Sequence, residues 1–183
     1  LGLSSDADVC IDFSIGGAVE ETALSIEIPW VLGTTGWEKE AVLPLVEKRE
    51  IPLLYAPNFS LGMALFRKLA CVGRSLYADY DMEGEEIHHQ SKKDAPSGSA
   101  LRLMEEIEGL TFKSKREGTE VGTHRILFKA AEEEVELTHR ALDRRVFARG
   151  AVLAAEWLMG RKGIFTFDEM IEEQWNLVDS QQH

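Results

Sequence analysis

The sequence predicts an α/β chain in two parts: a domain built on a parallel sheet, followed by an α+β domain with a mixed sheet. Short apolar segments alternate with amphipathic ones over the first 60 or so residues, which is typical of parallel sheets. Small polar loops, Gly33-Thr34-Thr35-Gly36 and Ala56-Pro57-Asn58-Phe59-Ser60, follow two of the apolar segments. After Asp81 the pattern changes to longer alternating segments, which indicate paired strands.

The elements of the parallel-sheet domain follow one another in regular order. Strands are predicted at residues 9–13, 29–32 and 51–55, and helices at residues 16–25 and 38–48. In parallel sheets, ligands collect at the carboxyl ends of strands. The two small loops stand at such ends, so we expect them to line a ligand site.

The second half begins with a long helix at residues 61–77, whose apolar stripe we expect to pack in the core. That stripe consists of Leu65, Phe66, Leu69, Val72, Leu76 and Tyr77. A strand at residues 86–89, a helix at 97–107, a hairpin of 124–129 with 134–138, and a helix at 144–158 follow. Residues 165–177 are predicted to add a last strand or helix.

Composition narrows the classes of function. The chain of 183 residues carries a formal charge of −12, from 32 acidic and 20 basic residues, which argues against a nucleic-acid partner. It has neither an apolar run of the ~18 residues that a membrane span needs nor a secretory signal at its start. Cys10 and Cys71 lie in apolar runs and are interpreted as reduced thiols. We therefore expect a cytoplasmic protein.

The basic segment at residues 88–100 stands out in this acidic chain. It contains His88, His89, Lys92 and Lys93, and then passes through Asp94-Ala95-Pro96 into Ser97-Gly98-Ser99 at a predicted helix start. Imidazoles and ammonium groups can supply protons, and a helix start offers N–H groups to an anion. The residues predict a pocket that holds a carboxylate or phosphate and protonates a group beside it. A solvated loop followed by an ordinary helix cap remains an alternative reading.

We predict no metal site in this segment. His88 and His89 are adjacent, so on a strand they point to opposite faces. No cysteine or further histidine stands at ligand spacing in the neighbouring sequence.

The motif His-His-x-x-Lys-x-Asp-Ala-Pro-Ser-Gly, followed by Ser and Ala, resembles the signature of the 4-hydroxy-tetrahydrodipicolinate reductase family, also called dihydrodipicolinate reductase. The two small loops resemble the cofactor-contacting loops of that family. A later block resembles its late segment: Thr138-His139-Arg140-Ala141 with Arg144, Phe147-Ala148 and Gly150-Ala151. The blocks occur in family order, and the set is far more specific than any single block.

The resemblance implies two domains and a reaction. Residues 1–60 and 142–183 would form a partial Rossmann-type dinucleotide-binding domain, and residues 61–141 a domain for substrate binding and tetramer formation. The family uses NADPH or NADH to make tetrahydrodipicolinate on the diaminopimelate route to lysine. The expected partners are a cyclic dicarboxylate substrate and three further copies of the chain.

The resemblance also implies roles for individual residues. His88 would donate or accept a proton and Lys92 would donate one, and the sequence does not decide which of them delivers the final proton. His89, Gly98 and Ser99 would bind the substrate. The nicotinamide half of the cofactor would be lined by Gly33, Thr34, Thr35, Ala56, Pro57, Asn58 and Phe59.

Three departures from the family pattern carry expectations of their own. Ser99 stands where the family usually has Thr, and Lys93 stands at a position that is commonly apolar. The opening Gly-x-x-Gly-x-x-Gly loop is missing, since the single candidate, Ile15-Gly16-Gly17, lacks the third glycine. We therefore expect a fragment of a reductase that binds NADPH or NADH weakly, an expectation that micromolar affinity in a calorimetric titration would contradict. The alternatives are a truncated or non-catalytic oligomeric relative and a different two-domain amino-acid dehydrogenase.

Overall fold

Two compact units make up the computed structural model, which describes residues 6–180, with side chains described through residue 174. The first unit contains the residues up to Phe59 and those from Phe147 onward, and the second contains Ser60–Val146. In chain order the elements are β1 (Cys10–Asp12), α1 (Val19–Ser25), β2 (Trp30–Leu32), α2 (Lys39–Lys48), β3 (Leu53–Tyr55), α3 (Leu61–Leu76), β4 (Asp81–His88), α4 (Gly98–Glu106), β5 (Phe112–Arg116), β6 (Gly122–Lys129), β7 (Glu134–Ala141), α5 (Arg145–Leu158), β8 (Ile164–Thr166) and α6 (Phe167–Ser180).

A parallel sheet forms the centre of the first unit, with its strands in the order β1-β2-β3-β8. All three residues of β2 are buried, because helices cover the sheet; this explains the uninterrupted apolar sequence of Trp30–Leu32. Val19, Ala23, Val42 and Val46 supply the helical side of this core. Strand β1 forms one edge of the sheet, and its residue Ile11 is 41% exposed.

A mixed sheet forms the second unit, in the order β5-β4-β6-β7. Strand β5 runs parallel to β4, whereas β4–β6 and β6–β7 are antiparallel pairs. The core on this sheet is formed by Met63, Phe66 and Ala70 of α3, Leu103 of α4, and Ile126 and Phe128 of β6. The parallel sheet and the mixed sheet confirm the predicted fold class.

The predicted buried stripe of α3 is wrong in part. Phe66 is buried and Tyr77 packs against the core as predicted. Leu69, Val72 and Leu76 are instead 55%, 56% and 76% exposed, and Met63, Ala70 and Gly73 are buried in their place. Both stripes have helical spacing, so periodicity could not separate them. The structure uses the stripe with the smaller residues because the Phe128 ring packs against Gly73, where a Cβ atom would lie 2.7 Å from it.

Two further elements differ from expectation. Strand β5 was not predicted, because it lies at a sheet edge and four of its five residues are polar. Strand β4 begins at Asp81 rather than at residue 86. Residues 164–180 form a strand followed by a helix.

Within the described residues, no helix combines the length and apolar character needed to cross a bilayer.

Candidate active site

The two small loops of the first unit follow neighbouring strands of the parallel sheet. Leu32 of β2 pairs with Tyr55 of β3, so the loops leave the same edge side by side. The N–H of Gly33 donates to the carbonyl of Asp12 (2.8 Å), and the N–H of Ala56 donates to the carbonyl of Leu32 (3.1 Å). Strand hydrogen bonding therefore fixes the start of both loops.

Thr34 anchors the first loop from within. Its buried hydroxyl lies 3.4 Å from Asp12 Oδ1, and its carbonyl accepts from Trp37 Nε1 at 2.9 Å. Thr35 is exposed, and Gly36 has a φ of +73° that favours glycine. A side chain at Gly33 would displace the Phe13 ring. The loop therefore presents Thr35 and backbone groups while Thr34 holds it.

Phe59 anchors the second loop. Its ring lies 5.1 Å from that of Phe167 and 5.8 Å from that of Phe13. A Cβ atom at Gly150 would lie 1.7 Å from the Phe59 carbonyl oxygen, so α5 passes directly against this loop. Ala56 is buried as well, whereas Pro57 is exposed and Asn58 is half-buried.

The exposed surface of both loops fits the predicted contact with a nicotinamide. Neither loop contains a charged side chain. Small residues and backbone groups can approach a flat, neutral ring and its amide closely. The residues that would hold this half of the cofactor are Gly33, Thr34, Thr35, Ala56, Pro57, Asn58 and Phe59.

A polar row crosses the mixed sheet of the second unit. Glu86 on β4 pairs with Ser114 on β5 and with His124 on β6, and His124 pairs with His139 on β7. Paired residues share one face of a sheet, which here is the face that α3 and α4 cover. Strand pairing thus collects side chains from four segments that are distant in the sequence.

Glu86 is fully buried at the centre of this row. Its Oε1 accepts from Ser114 Oγ at 2.7 Å and from the Ser97 N–H at 3.0 Å. Burial by itself raises the pKa of Glu86, but the hydrogen bonds from Ser97 and Ser114, together with the nearby His88, leave the pKa below its usual value. Glu86 is therefore a buried carboxylate.

His88, the predicted proton donor or acceptor, lies two residues further along β4 and is 7% exposed. Its Nδ1 is 3.7 Å from Glu86 Oε2, and its Nε2 faces Gly122, where a Cβ atom would lie 3.1 Å away. Burial lowers the pKa of His88; Glu86 opposes this effect, while Lys92 and Arg116 act in the same direction as burial. The ring is neutral at pH 7 as the site stands.

Two histidines that the sequence analysis did not select complete the row: His124, which is buried, and His139, which is half-buried. Burial, with help from His88, lowers the pKa of His124 from 6.5 to about 3. His124 Nε2 lies 3.2 Å from Ser97 Oγ and 3.6 Å from Glu86 Oε2. Burial also lowers the pKa of His139. Both rings are therefore neutral at pH 7.

Lys92 is held in the loop that follows β4. Its Nζ lies 2.8 Å from Asp94 Oδ1, and its carbonyl accepts from Arg116 Nε at 3.4 Å. Arg116 also donates to the Asp94 carbonyl. The ammonium is half-buried and near enough to His88 to lower its pKa. The structure thus brings together the two residues predicted to move protons.

His89 is oriented by other partners. Its Nδ1 lies 2.8 Å from Ser91 Oγ, and its Nε2 accepts from Arg144 at 3.3 Å. Since arginine can only donate, the neutral ring carries its proton on Nδ1. His89 therefore lies outside the polar row that contains His88.

The start of α4 combines a buried cap with an open exterior. Ser97 is the N-cap, and its side chain accepts from the Ala100 N–H at 3.2 Å. Gly98 is exposed, and no atom lies within 4 Å of where its Cβ would stand. Ser99 is half-buried. The first turn therefore leaves space beside Gly98 in which an anion can approach the helix N–H groups.

Glu86, His88 and His124 are also near enough to one another to be considered as a metal site. One side-chain O or N atom from each lies within 4.8 Å of the others. Hydrogen bonds already engage this cluster: Ser97 and Ser114 donate to the Glu86 carboxylate, and Ser97 Oγ lies 3.2 Å from His124 Nε2. We interpret the cluster as a hydrogen-bond network and keep the prediction of no metal site. The sequence argument that no further histidine stands nearby was incomplete, since strand pairing brings His124 beside His88.

Two family profiles together match most of the chain. The family profile for the N-terminus of dihydrodipicolinate reductase matches residues 2–59, and the profile for its C-terminus matches residues 62–171. A 4-hydroxy-tetrahydrodipicolinate reductase of Gluconobacter oxydans is 40% identical over 93% of this chain and 79% of its own length. The enzyme of that name from Archaeoglobus fulgidus is 36% identical over 91% and 77%.

A solved structure is also similar. The dipicolinate-bound dihydrodipicolinate reductase from Paenisporosarcina sp. TG-14 superposes with a TM-score of 0.72 at 26% identity, over 87% of this chain and 71% of that one. The sequence blocks, the two sheets and these relatives agree, and the chain belongs to the dihydrodipicolinate reductase family of oxidoreductases.

Proposed function

We propose that this chain performs the NADPH- or NADH-dependent reduction of 4-hydroxy-tetrahydrodipicolinate to tetrahydrodipicolinate on the diaminopimelate route to lysine. The observation that carries the proposal is the second unit's cluster: His88 and Lys92 lie together, and the helix beginning at Gly98 is open to an anion. The relatives of that name, at 36–40% identity, support the substrate.

The proposal assigns a task to each part of the chain. Residues 1–60 and 142–183 bind the nucleotide, and residues 61–141 bind the substrate and form a homotetramer. The uncharged loops after β2 and β3 support the first task, and the ionisable cluster around His88 supports the second. The reaction belongs to biosynthesis, so we place the protein in the cytoplasm.

The start of α4 is the proposed carboxylate site. The backbone N–H groups of Gly98 and Ser99, together with the Ser99 hydroxyl and the His89 ring, would bind one carboxylate of the substrate. A related reductase was solved with dipicolinate, a pyridine with two carboxylates, which supports a ring diacid as the ligand. Lys92 and Arg116 add positive charge that an acidic protein needs in order to attract a dianion.

The protein's part in the chemistry is the delivery of a proton. The 4-hydroxyl group of the substrate must first leave as water, which places a C=C bond in conjugation with the imine. When bound, the reduced nicotinamide would supply a hydride to this conjugated imine. The resulting enamine anion must then take one proton, from His88 or from Lys92. His88 is neutral in the free site, and a bound dianion raises its pKa, so substrate binding itself would load the ring with a proton.

The test is substrate-dependent oxidation of NADPH or NADH by the purified chain, with pyridine-2,6-dicarboxylate as a competitor. Nucleotide is supplied at high concentration, because the missing glycine-rich loop predicts weak binding of it. We expect oxidation that this compound inhibits more strongly than glutarate does. A non-catalytic relative would bind the pyridine diacid and form tetramers without oxidising either nucleotide at any concentration. A different amino-acid dehydrogenase would show no preference for the pyridine diacid.

A further inference from the structure

Glu86 is a buried charge for which the proposed reaction has no direct use. It lies on β4 two residues before His88, on the same face of the strand, and its side chain has no solvent exposure. Moving an unpaired carboxylate out of water costs several kcal/mol. We therefore expect a carboxylate in the middle of a sheet to have a role that offsets the free-energy cost of burying it.

The contacts of Glu86 lead to two parts of the site. One is the start of α4: the Ser97 N–H donates to both carboxylate oxygens, at 3.0 Å and 3.2 Å. Ser97 directly precedes Gly98 and Ser99, so this contact fixes the turn that would hold the substrate. The other is the His88 ring, whose Nδ1 lies 3.7 Å from Oε2.

The His88 contact is incomplete in the free site. His88 Nδ1 is buried and has no hydrogen-bond partner. A small approach toward Oε2 would form an Nδ1–H···O bond, which normally measures below about 3.2 Å. With Nδ1 directed at Glu86, Nε2 is the nitrogen left to exchange a proton, and it faces Gly122, which has no side chain to block it.

We propose that Glu86 is a positioning residue of the site: its buried carboxylate orients the His88 ring through Nδ1 and holds the start of α4 through Ser97. The inference deepens the proposed function and rests on it for the role of His88. One side chain then sets the distance between the group that moves the proton and the turn that binds the carboxylate.

Other charged or titratable groups also face His88, and their effects must be separated from that of Glu86 in any test. Lys92 and Asp94 approach from the following loop, Arg116 from β5 and His124 from β6. Glu85 offers a matched control, because it lies next to Glu86 on the opposite face of β4 and pairs with Lys115 and Arg125 instead.

The first measurement is the NMR titration of His88 in the full chain containing isotope-labelled histidine, with the five histidines assigned by single substitutions. Glu86→Gln keeps the shape of the side chain and an oxygen for Ser97, but removes the charge. We expect the His88 pKa to fall by about one pH unit, the scale of losing an opposite charge at this range. Glu85→Gln should leave it unchanged.

The second measurement is calorimetric binding of pyridine-2,6-dicarboxylate. Glu86→Asp keeps the charge but withdraws it from the Ser97 N–H, so we expect affinity to fall roughly tenfold, the scale of one hydrogen bond to a charged group. Glu86→Gln, which keeps an acceptor, should lose less affinity than Glu86→Asp. Circular dichroism establishes that each variant is folded.

An unchanged His88 pKa in folded Glu86→Gln, or full affinity in folded Glu86→Asp, overturns the proposal. Neither measurement requires turnover or nucleotide. If the unsubstituted chain does not bind the pyridine diacid, the proposed function fails, while the His88 titration still decides whether Glu86 acts on that ring.

Discussion

The two units present their candidate sites in contrasting ways. In the first unit, uncharged loops expose backbone and small side chains, and Asp12 holds the first of these loops through Gly33 and Thr34. In the second unit, ionisable groups are packed against one another around Glu86 and His88. Under the proposed function, this contrast would give the units different tasks: the first would recognise a ligand by its shape, and the second would control charge and proton transfer. Substitutions should therefore act through steric fit in one unit and through proton transfer and pH in the other.

The largest expected effect concerns the second unit, where we place the proton transfer. His88→Gln or Lys92→Met should lower kcat by roughly 10²-fold or more, the usual scale for losing a general acid. The measurement is the steady-state oxidation of NADPH at saturating substrate. Lys93→Met is the matched control, because Lys93 is exposed and adjacent, and its rate should stay close to that of the unsubstituted chain. Normal kcat values in both His88→Gln and Lys92→Met would show that neither residue has the proposed role in proton transfer.

Two glycine-to-alanine substitutions test how steric fit differs between the two units. Gly150→Ala places a methyl group 1.7 Å from the Phe59 carbonyl, so helix and loop must separate. Overpacking of this kind costs about 1–3 kcal/mol of unfolding free energy, which urea titration measures. Gly98→Ala meets no atom within 4 Å and should change stability by less than about 0.5 kcal/mol.

The same pair separates packing from binding. Gly98→Ala fills the space beside the helix start, so it should weaken the binding of pyridine-2,6-dicarboxylate although the fold is intact. Equal loss of stability in the two variants would remove the distinction that we draw between the units.

The pH dependence of the unfolding free energy tests the polar row that contains His124. The folded pKa of His124 is about 3, below the value of 6.5 that the unfolded chain has. Between these values the unfolded chain binds the extra proton, so stability falls as the pH decreases from 6.5 toward 3, by at most about 1.4 kcal/mol per pH unit from this group. Denaturant titrations at several pH values measure this change in unfolding free energy. His124→Asn should flatten the slope, and an unchanged slope would show that another group causes it.

The smallest expected effect concerns Ser99. Ser99→Ala removes the hydroxyl that we propose contacts the substrate in the ground state, so we expect a KM a few-fold higher with kcat nearly unchanged. Ser99→Thr keeps the hydroxyl and serves as the control. Steady-state kinetics measure both, and an unaltered KM in Ser99→Ala would exclude the contact.

The local parts of the fold could be predicted from the sequence. Helix and strand periodicity located most elements, and turn residues marked the loops after β2 and β3. Periodicity failed where two solutions were equally regular, as in α3, whose buried face depends on the contact of Gly73 with Phe128. It also failed for β5, whose lysine-rich sequence is that of an exposed edge rather than a core strand.

The candidate site was predictable only where its residues are neighbours in the chain. The segment at residues 88–100 was found, whereas Glu86, Ser114 and His124 were not combined, because their proximity depends on the pairing of β4 with β5 and β6. One sequence pattern could have indicated the missing carboxylate. Gly84, Glu86 and His88 alternate along a strand and are buried together, and a glutamate at such a position requires polar partners.

The pairing that creates the polar row makes the site depend on strand alignment. A shift of one residue between β4 and β6 would turn alternate side chains to the opposite face. Glu86 would then no longer face His124, and the Ser97 N–H would lose its acceptor. A misaligned sheet could keep its backbone hydrogen bonds and still be inert. Recovery of ligand binding during refolding would therefore report correct alignment, whereas recovery of circular dichroism would report only that strands have paired.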